Sequence, residues 1–424
     1  MGQNLHDTSQ HLLRVLATGN LEDLADRLQP KHDPLPPKIP GASLTSPEAV
    51  ERRWQRLLEQ GVPASVRATL WHPADSENAE RFKGHIENLI GTVSLPVGVA
   101  GPLRVNGLHA QGDYYVPLAT TEAALVASYH RGALVVSESG GCTSLLVAEG
   151  VSRAPGFAFA NLIEAGHFVA WAVGEMDRFR TVAATTTRHG TLADLRFTLE
   201  GNHVYLNFDF LTGDAAGQNM VTLATQAICD DIAARCPVRA EYYFVEANLS
   251  GDKKASAQSF QNVRGKKVSA EVFIPADLIE KKLHTTARRM TDYWRMSAMG
   301  GVLSGTIGVQ GHYANGLAAL YLACGQDVAC VSESAVGVTR FEERENGVLY
   351  AAVTLPNLIV GTVGGGTSLP WQRACLEVLG LHGDGKARAL AEVTAALCLA
   401  GELSIIAALS AQEFTRAHRK LARG

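Results

Sequence analysis

The spacing of apolar residues changes along this chain, and each change predicts an element. Residues 1–40 are mostly polar, with a helical pattern at Leu12–Leu28 and then a stiff linker carrying Pro30, Pro34, Pro36, Pro37 and Pro40. Thr45 or Ser46, followed by Pro47 and Glu48, signals a helix start, and Val50–Gln60 is amphipathic at helical spacing. Glu87–Leu103 reads as strand and turn, and Thr120–Leu134 as a helix. Between residues 155 and 245 short strand patterns alternate with helical runs at Ala165–Phe179 and Gly217–Arg235. That order predicts a small α/β sandwich inserted into a larger unit. Further on come a strand at 265–275, helices at 277–295 and 305–325, and a strand at Asn346–Thr354. A glycine loop follows at Gly361–Thr367, then two closing helices at Lys386–Leu399 and Leu403–Lys420. The most apolar stretch, Val393–Leu409, is interrupted by Glu402 and Ser404, which makes it a buried helix in this reading and not a membrane span.

Composition narrows the function classes. With 424 residues the chain is long enough for two or three domains, and a net charge of -4 argues against nucleic acid or an anionic membrane as partner. Its seven cysteines are scattered, with no C-x-x-C pair, so neither a metal site nor a disulfide framework is expected. No signal peptide pattern opens the chain, and a reduced, cytoplasmic setting is the expectation.

Several short segments carry candidate chemistry. Gly251-Asp252-Lys253-Lys254 places two ammonium groups in a segment of small and apolar residues. It reads either as a solvated turn or as a site for an anion or a developing oxyanion. Glu122, in Ala119-Thr120-Thr121-Glu122, is either a first-turn acid favoured by the helix dipole or a catalytic acid beside a lysine. The turn Thr212-Gly213-Asp214-Ala215-Ala216-Gly217-Gln218-Asn219-Met220 leads into a helix, so it can offer backbone N–H groups to a phosphate; Asp214 and Asn219 are equally good turn formers. No G-x-G-x-x-G occurs, so a dinucleotide needs another architecture. Thr187 and Arg188 form a second candidate phosphate contact, and Arg188 also fits an ordinary surface position. Asn315 and Asp327 lie twelve residues apart, on or near one predicted helix, and His418 sits two residues from a polar tail.

Taken in order, these segments resemble the 3-hydroxy-3-methylglutaryl-CoA reductase family, in the soluble catalytic form of its class I type. The resemblance rests on Glu87–Gly91 with Pro96–Leu103, Ala119–Glu122, Thr212–Met220, Asp252–Lys254, Ala323–Asp327, Val360–Thr367 and Ala400–Ser404. It implies an α+β fold: a helical N-terminal region at 1–90, a large substrate-binding and catalytic domain at 91–154 plus 246–424, and an inserted ferredoxin-like α/β cofactor domain at 155–245. It implies a four-electron reduction of a thioester to mevalonate and CoA, consuming two NADPH. Lys253 would stabilise the oxyanion, Glu122 would donate a proton at the aldehyde step, Asp327 would hydrogen-bond both, and His418 would protonate the departing thiolate. Arg153, Asp252, Lys254 and Asn315 would hold the hydroxymethylglutaryl group. Thr187, Arg188, Asp214, Gly217 and Asn219 would hold the nucleotide, with Arg188 favouring NADPH over NADH because a 2′-phosphate needs a cationic partner. The family also implies a homo-oligomer whose active site lies at a subunit interface.

The chain departs from the family pattern in places. Glu246 stands where many members carry a serine that touches the substrate, and a carboxylate there repels an anionic substrate unless it turns away or pairs with a lysine. A further substrate-binding lysine has no clean match, with Arg295 nearby, and the cofactor turn has Gln218 where a methionine is common. These departures leave two other readings open: a reductase for a different acyl-CoA, and a catalytically idle acyl-CoA-binding relative. A thioester hydrolase built on Cys324 or Cys330 lacks a suitable histidine partner.

Overall fold

The computed structural model describes residues 28–72 and 76–412. The predicted arm helix at Leu12–Leu28 falls almost wholly outside them, as does His418. The chain divides into two compact units, residues 1–92 and 93–424.

In the first unit the helix signal is realised. Ser46 caps α1 (Pro47–Glu59) by accepting from the Ala49 N–H, with Pro47 at the first helical position. The buried guanidinium of Arg53 donates to the carbonyls of Pro40 (3.2 Å), Leu89 (2.7 Å), Leu44 (2.5 Å) and Gly41. One arginine thus satisfies four backbone acceptors that have no ladder of their own.

The second unit is built on one eleven-stranded sheet among the described residues. Its strands are β1 (Val97–Gly107), β2 (Gln111–Ala119), β3 (Cys142–Arg153), β4 (Gly156–Ala158), β5 (Thr191–Glu200), β6 (His203–Leu211), β7 (Tyr242–Phe244), β8 (Gly265–Ile274), β9 (Gly308–Val309), β10 (Gly337–Glu343) and β11 (Leu349–Leu358). The main path runs β7-β4-β6-β3-β8-β11-β10-β9, with β1 and β2 attached beside β3 and β5 beside β6. The twelve-residue β3 belongs to both halves: residues 143–150 pair with β8, and 151–153 pair with β6. Two separate apolar cores follow from this. One is built around β4–β6 and its helices, with Phe157, Phe168, Phe179 and Phe208; the other packs the rest of the unit.

The larger core is organised by three helices: α2 (Leu125–Glu138), α4 (Tyr313–Ala323) and α5 (Ala387–Ser410); α3 (Gln218–Arg235) belongs to the smaller one. The 24-residue α5 is long and apolar enough to cross a membrane by length and composition, yet 89% of its most apolar window is buried inside the unit. It is a core helix, and it replaces the two closing helices expected on either side of Gly401: that glycine is buried within a continuous helix that ends at Ser410. Tyr129 of α2 explains why a glycine is there. A Cβ on Gly401 would lie 2.4 Å from the Tyr129 ring, and one on Gly316 of α4 would lie 2.3 Å from its hydroxyl.

Two buried glutamates on α5 serve backbone amides of neighbouring loops. Glu392 accepts from His109 and Ala110 (both 2.8 Å) and Leu146 (3.1 Å). Glu402 accepts from the N–H of Gly311 (2.7 Å), the N–H of His312 (2.7 Å) and the Thr339 hydroxyl (2.8 Å). Burial raises the Glu402 pKa, and these three donors only partly offset it. The contact at 311–312 supplies the cap that α4 lacks from its own side chains.

Other boundaries differ locally. The helical run expected at Ala165–Phe179 is two helices, Leu162–Gly174 and Met176–Ala184. The helix expected at 305–325 starts at Tyr313, because residues 308–309 are taken by the sheet. Helix α2 starts at Leu125, with Ala124 in the left-handed region at φ 67°, so Glu122 precedes the helix.

A Cβ at Gly132 of α2 would sit 1.9 Å from the Ala400 carbonyl oxygen of α5. Gly132→Ala therefore forces the two helices apart and is expected to cost about 1–3 kcal/mol. Urea unfolding checks this as a lowered midpoint with an unchanged slope.

Candidate active site

The loop between β7 and β8 carries most of the candidate chemistry, and a chain of buried ion pairs holds it. Arg153, at the end of β3, is 5% exposed and donates through Nη1 to Asp252 (2.8 Å) and Glu246 (3.2 Å). The other Asp252 oxygen accepts from Arg264 at 2.7 Å, and Arg264 reaches Glu333 at 2.5 Å. Glu333 in turn accepts the backbone N–H of Lys253 at 3.1 Å. Burial pushes the Asp252 pKa upward, but Arg264 and Arg153 outweigh it and hold the group below its ordinary value. At Glu333 burial prevails over Arg264, and the pKa is raised.

This scaffold fixes a strained residue. Lys253 lies at φ 55°, a conformation costing a non-glycine residue on the order of 1 kcal/mol, and strain of this kind gathers at functional sites. Its ammonium pairs with Asp327 at 2.8 Å. That hydrogen bond raises the Lys253 pKa against the opposing effect of burial, so the group is a fixed cation near neutrality. Asp327 is itself held by the Ala329 N–H at 3.0 Å. Lys254 is exposed and donates to the Asp252 carbonyl at 2.8 Å.

Glu122 lies elsewhere. Its Oε2 accepts from Asn315 at 2.9 Å, its N–H bonds the Thr120 hydroxyl at 2.9 Å, and cavities of about 370 and 540 Å³ flank the pair. Asn315 sits in the first turn of α4, and Asp327 lies beyond its last residue, Ala323. At about 1.5 Å per residue the eight steps from Asn315 to Ala323 span roughly 12 Å along the helix. Asp327 binds Lys253, and among the described residues no hydrogen bond joins it to Glu122, although the resemblance implies one.

Glu246 pairs with an arginine, not with the lysine that was one expected escape from repulsion. Its four contacts are Arg153, the Ala154 N–H (3.3 Å), the Ser250 hydroxyl (2.9 Å) and the Asn248 N–H (2.7 Å). Arg264 and Glu333, which link this loop to the rest of the unit, went unread in the sequence. Glu333 is a lone charge in Val331-Ser332-Glu333-Ser334-Ala335, and that does not reveal its partner across 69 residues.

The cofactor candidates gather around the start of α3. Gly217, at φ 79°, precedes the helix, and a Cβ there would meet the Thr212 side chain at 2.3 Å. Asn219 is exposed. Both Asp214 oxygens are used internally, accepting from Gly385 (2.7 Å) and Ala387 (3.1 Å), so Asp214 shapes the turn. Thr187 forms a turn with His189 and Gly190, while Arg188 is exposed and forms no ion pair among the described residues. The turn is tied to the loops at 327–330 and 361–362 by Gln218, which donates to the Cys330 sulfur at 2.7 Å, and by Thr362, whose N–H bonds the Asp214 carbonyl at 2.8 Å. Gln326 grips Gly361 from the other side. Burial raises the pKa of Cys324 and of Cys330, which leaves no activated thiol at either position. Among the described residues no cluster of metal-binding side chains occurs.

Comparison with known proteins decides the family. The hydroxymethylglutaryl-coenzyme A reductase family model matches residues 49–423. The chain belongs to this family. It is 42% identical over 379 residues to a 3-hydroxy-3-methylglutaryl-coenzyme A reductase of Methanothermobacter thermautotrophicus, covering 89% of this chain and 94% of that one. Against the enzyme of the same name from Aeropyrum pernix the identity is 40%, with 95% and 96% covered. The fold is that of the class II reductase from Streptococcus pneumoniae solved with NADPH in open conformations, with a TM-score of 0.63 at 18% identity over 85% of this chain and 96% of that one.

Replacing Arg264 by methionine leaves Glu333 buried without its cation. The expected loss is about 3–5 kcal/mol, most of it recovered in the double variant R264M/E333L. Chemical denaturation of the two single variants and the double variant measures the coupling.

Proposed function

We propose that this reductase-family chain converts 3-hydroxy-3-methylglutaryl-CoA to mevalonate and CoA with two NADPH. The observation that carries the reading is the Lys253–Asp327 pair, a cation fixed on a strained loop by buried neighbours. Relatives about 40% identical bear the reductase name and support it.

The nucleotide is proposed to bind residues Thr187, Arg188, Asp214, Gly217 and Asn219, and when bound it supplies hydride. The exposed Arg188, which forms no ion pair among the described residues, fits a 2′-phosphate, and the first turn of α3, with no side-chain cap, fits a phosphate oxygen. The antiparallel order β7-β4-β6-β5, with helices between β4 and β5 and between β6 and β7, supports the proposal that 155–245 is a ferredoxin-like cofactor domain.

Lys253 faces the thioester carbonyl in this proposal. Because Asp327 keeps it charged, it stabilises the oxyanion without giving up its proton. Glu122, oriented by Asn315, serves as the proton donor at the aldehyde step. His418 is assigned the thiolate, which it protonates so that CoA leaves. Arg153, Asp252, Lys254 and Asn315 are assigned to the substrate.

The two halves of this machinery stand at opposite ends of α4. We therefore propose a homodimer or larger oligomer in which one chain's Glu122 and Asn315 complete the partner's Lys253 and Asp327. A class I assignment is proposed as well, supported by the ordered segments that carry the resemblance, from Glu87–Gly91 to Ala400–Ser404. A reduced, cytoplasmic setting is proposed too, and the free thiols of the seven cysteines, five of them buried, are compatible with it.

Lys253→Met is expected to lower kcat by at least 10²-fold with an unchanged unfolding midpoint. Near-normal turnover removes Lys253 from the chemistry. For Arg188→Ala, KM for NADPH is expected to rise tenfold or more while KM for NADH stays within about twofold. Equal effects on both nucleotides count against a 2′-phosphate contact.

A further inference from the structure

Charge is unevenly distributed around the loop at 246–254. Two guanidiniums, Arg153 and Arg264, are shared by three carboxylates, Glu246, Asp252 and Glu333. Lys253 is neutralised by Asp327. Among the described residues Lys254, alone of the four cations of this cluster, has no carboxylate partner; it is exposed and donates to the Asp252 carbonyl.

Glu246 is not a loose acid at the rim. It has four donors: Asn248 N–H on one oxygen, and Arg153, Ala154 N–H and the Ser250 hydroxyl on the other. Arg153 is in turn almost enclosed, and its Nη1 is divided between Glu246 and Asp252. A carboxylate arriving from outside finds that guanidinium already balanced. It must either displace Glu246, breaking four hydrogen bonds, or take its charge to Lys254.

We propose that Glu246 is a specificity-determining residue, an internal counter-anion that occupies Arg153 and moves recognition of the substrate's carboxylate onto Lys254. The consequence is weaker selection for acyl groups that end in a carboxylate than an unoccupied Arg153 would give. This rests on the reading of the site as an acyl-CoA reductase and deepens it by naming which cation the acyl group meets.

The test compares two ligands of matched shape: 3-hydroxy-3-methylglutaryl-CoA and the carboxylate-free 3-hydroxy-3-methylbutyryl-CoA. Their Kd values are measured by calorimetry for the wild-type chain, E246Q and K254M. Glutamine keeps an oxygen for the Asn248 N–H but removes the charge. In E246Q the carboxylate-bearing thioester is expected to bind roughly tenfold tighter with the other unchanged. In K254M it is expected to bind roughly tenfold weaker, again with the other unchanged. In turnover, E246Q lowers KM for the carboxylate-bearing thioester and leaves kcat alone. The ratio of the two Kd values within one sample does not depend on how much of a variant is folded. An E246Q ratio equal to wild type, or equal weakening of both ligands, overturns the proposal and leaves Glu246 as a brace for the loop. Wild-type NADPH oxidation is a separate readout, so absent turnover with an altered binding ratio counts against the reductase reading and not against this one.

Discussion

The pairing of Arg264 with Glu333 and Asp252 is the interaction on which the site depends. It lies where water cannot screen it, so each charge is tolerable only because the next is in place. Through Asp252 it reaches Arg153 and Glu246, and through Glu333 it reaches the backbone of Lys253. A lysine in the left-handed region is not a conformation that a free loop would favour. The ion pairs turn an unfavourable backbone state into the ground state of the loop, and the ammonium is thereby aimed before any ligand arrives.

A second set of constraints works from α5. Its buried glutamates act as caps for loops on other elements, and one of those loops starts α4. Helix α4 carries Asn315 at one end and leads to Asp327 past the other. The junction at Gly361–Thr362 then joins the Asp327 loop to the turn at Asp214. Candidate groups for substrate and nucleotide are thus connected through backbone hydrogen bonds within a few residues.

Much of this was legible in the chain because it was local. The Ser46-Pro47-Glu48 start, the helix after Gly217 and the strand at 265–274 all follow from capping, turn chemistry and periodicity. The candidate residues Lys253, Asp327, Glu122 and Asn315 were found as short segments, and the structure brings them together in two pairs. What was not legible was long-range. Nothing near Glu333 announces that Arg264 needs it, and nothing near Glu246 announces Arg153, 93 residues earlier. The break expected between Leu399 and Leu403 failed for the same reason: Gly401 lies within a continuous helix, and Tyr129 of a distant helix occupies the space beside it.

That tyrosine has a consequence for how the chain can change over generations. Its ring fills the space where side chains at Gly316 and Gly401 would go, and its hydroxyl donates to the His312 carbonyl at 2.9 Å. A larger residue at either glycine collides with the ring, and a smaller one at 129 opens a void and removes one of the two donors to the His312 carbonyl. The three positions form a lock that no single substitution opens without loss. Because Gly316 directly follows Asn315, sequence drift in the core of this helix pair is tied to the placement of a functional amide. A lineage can leave this arrangement only by changing core and site together.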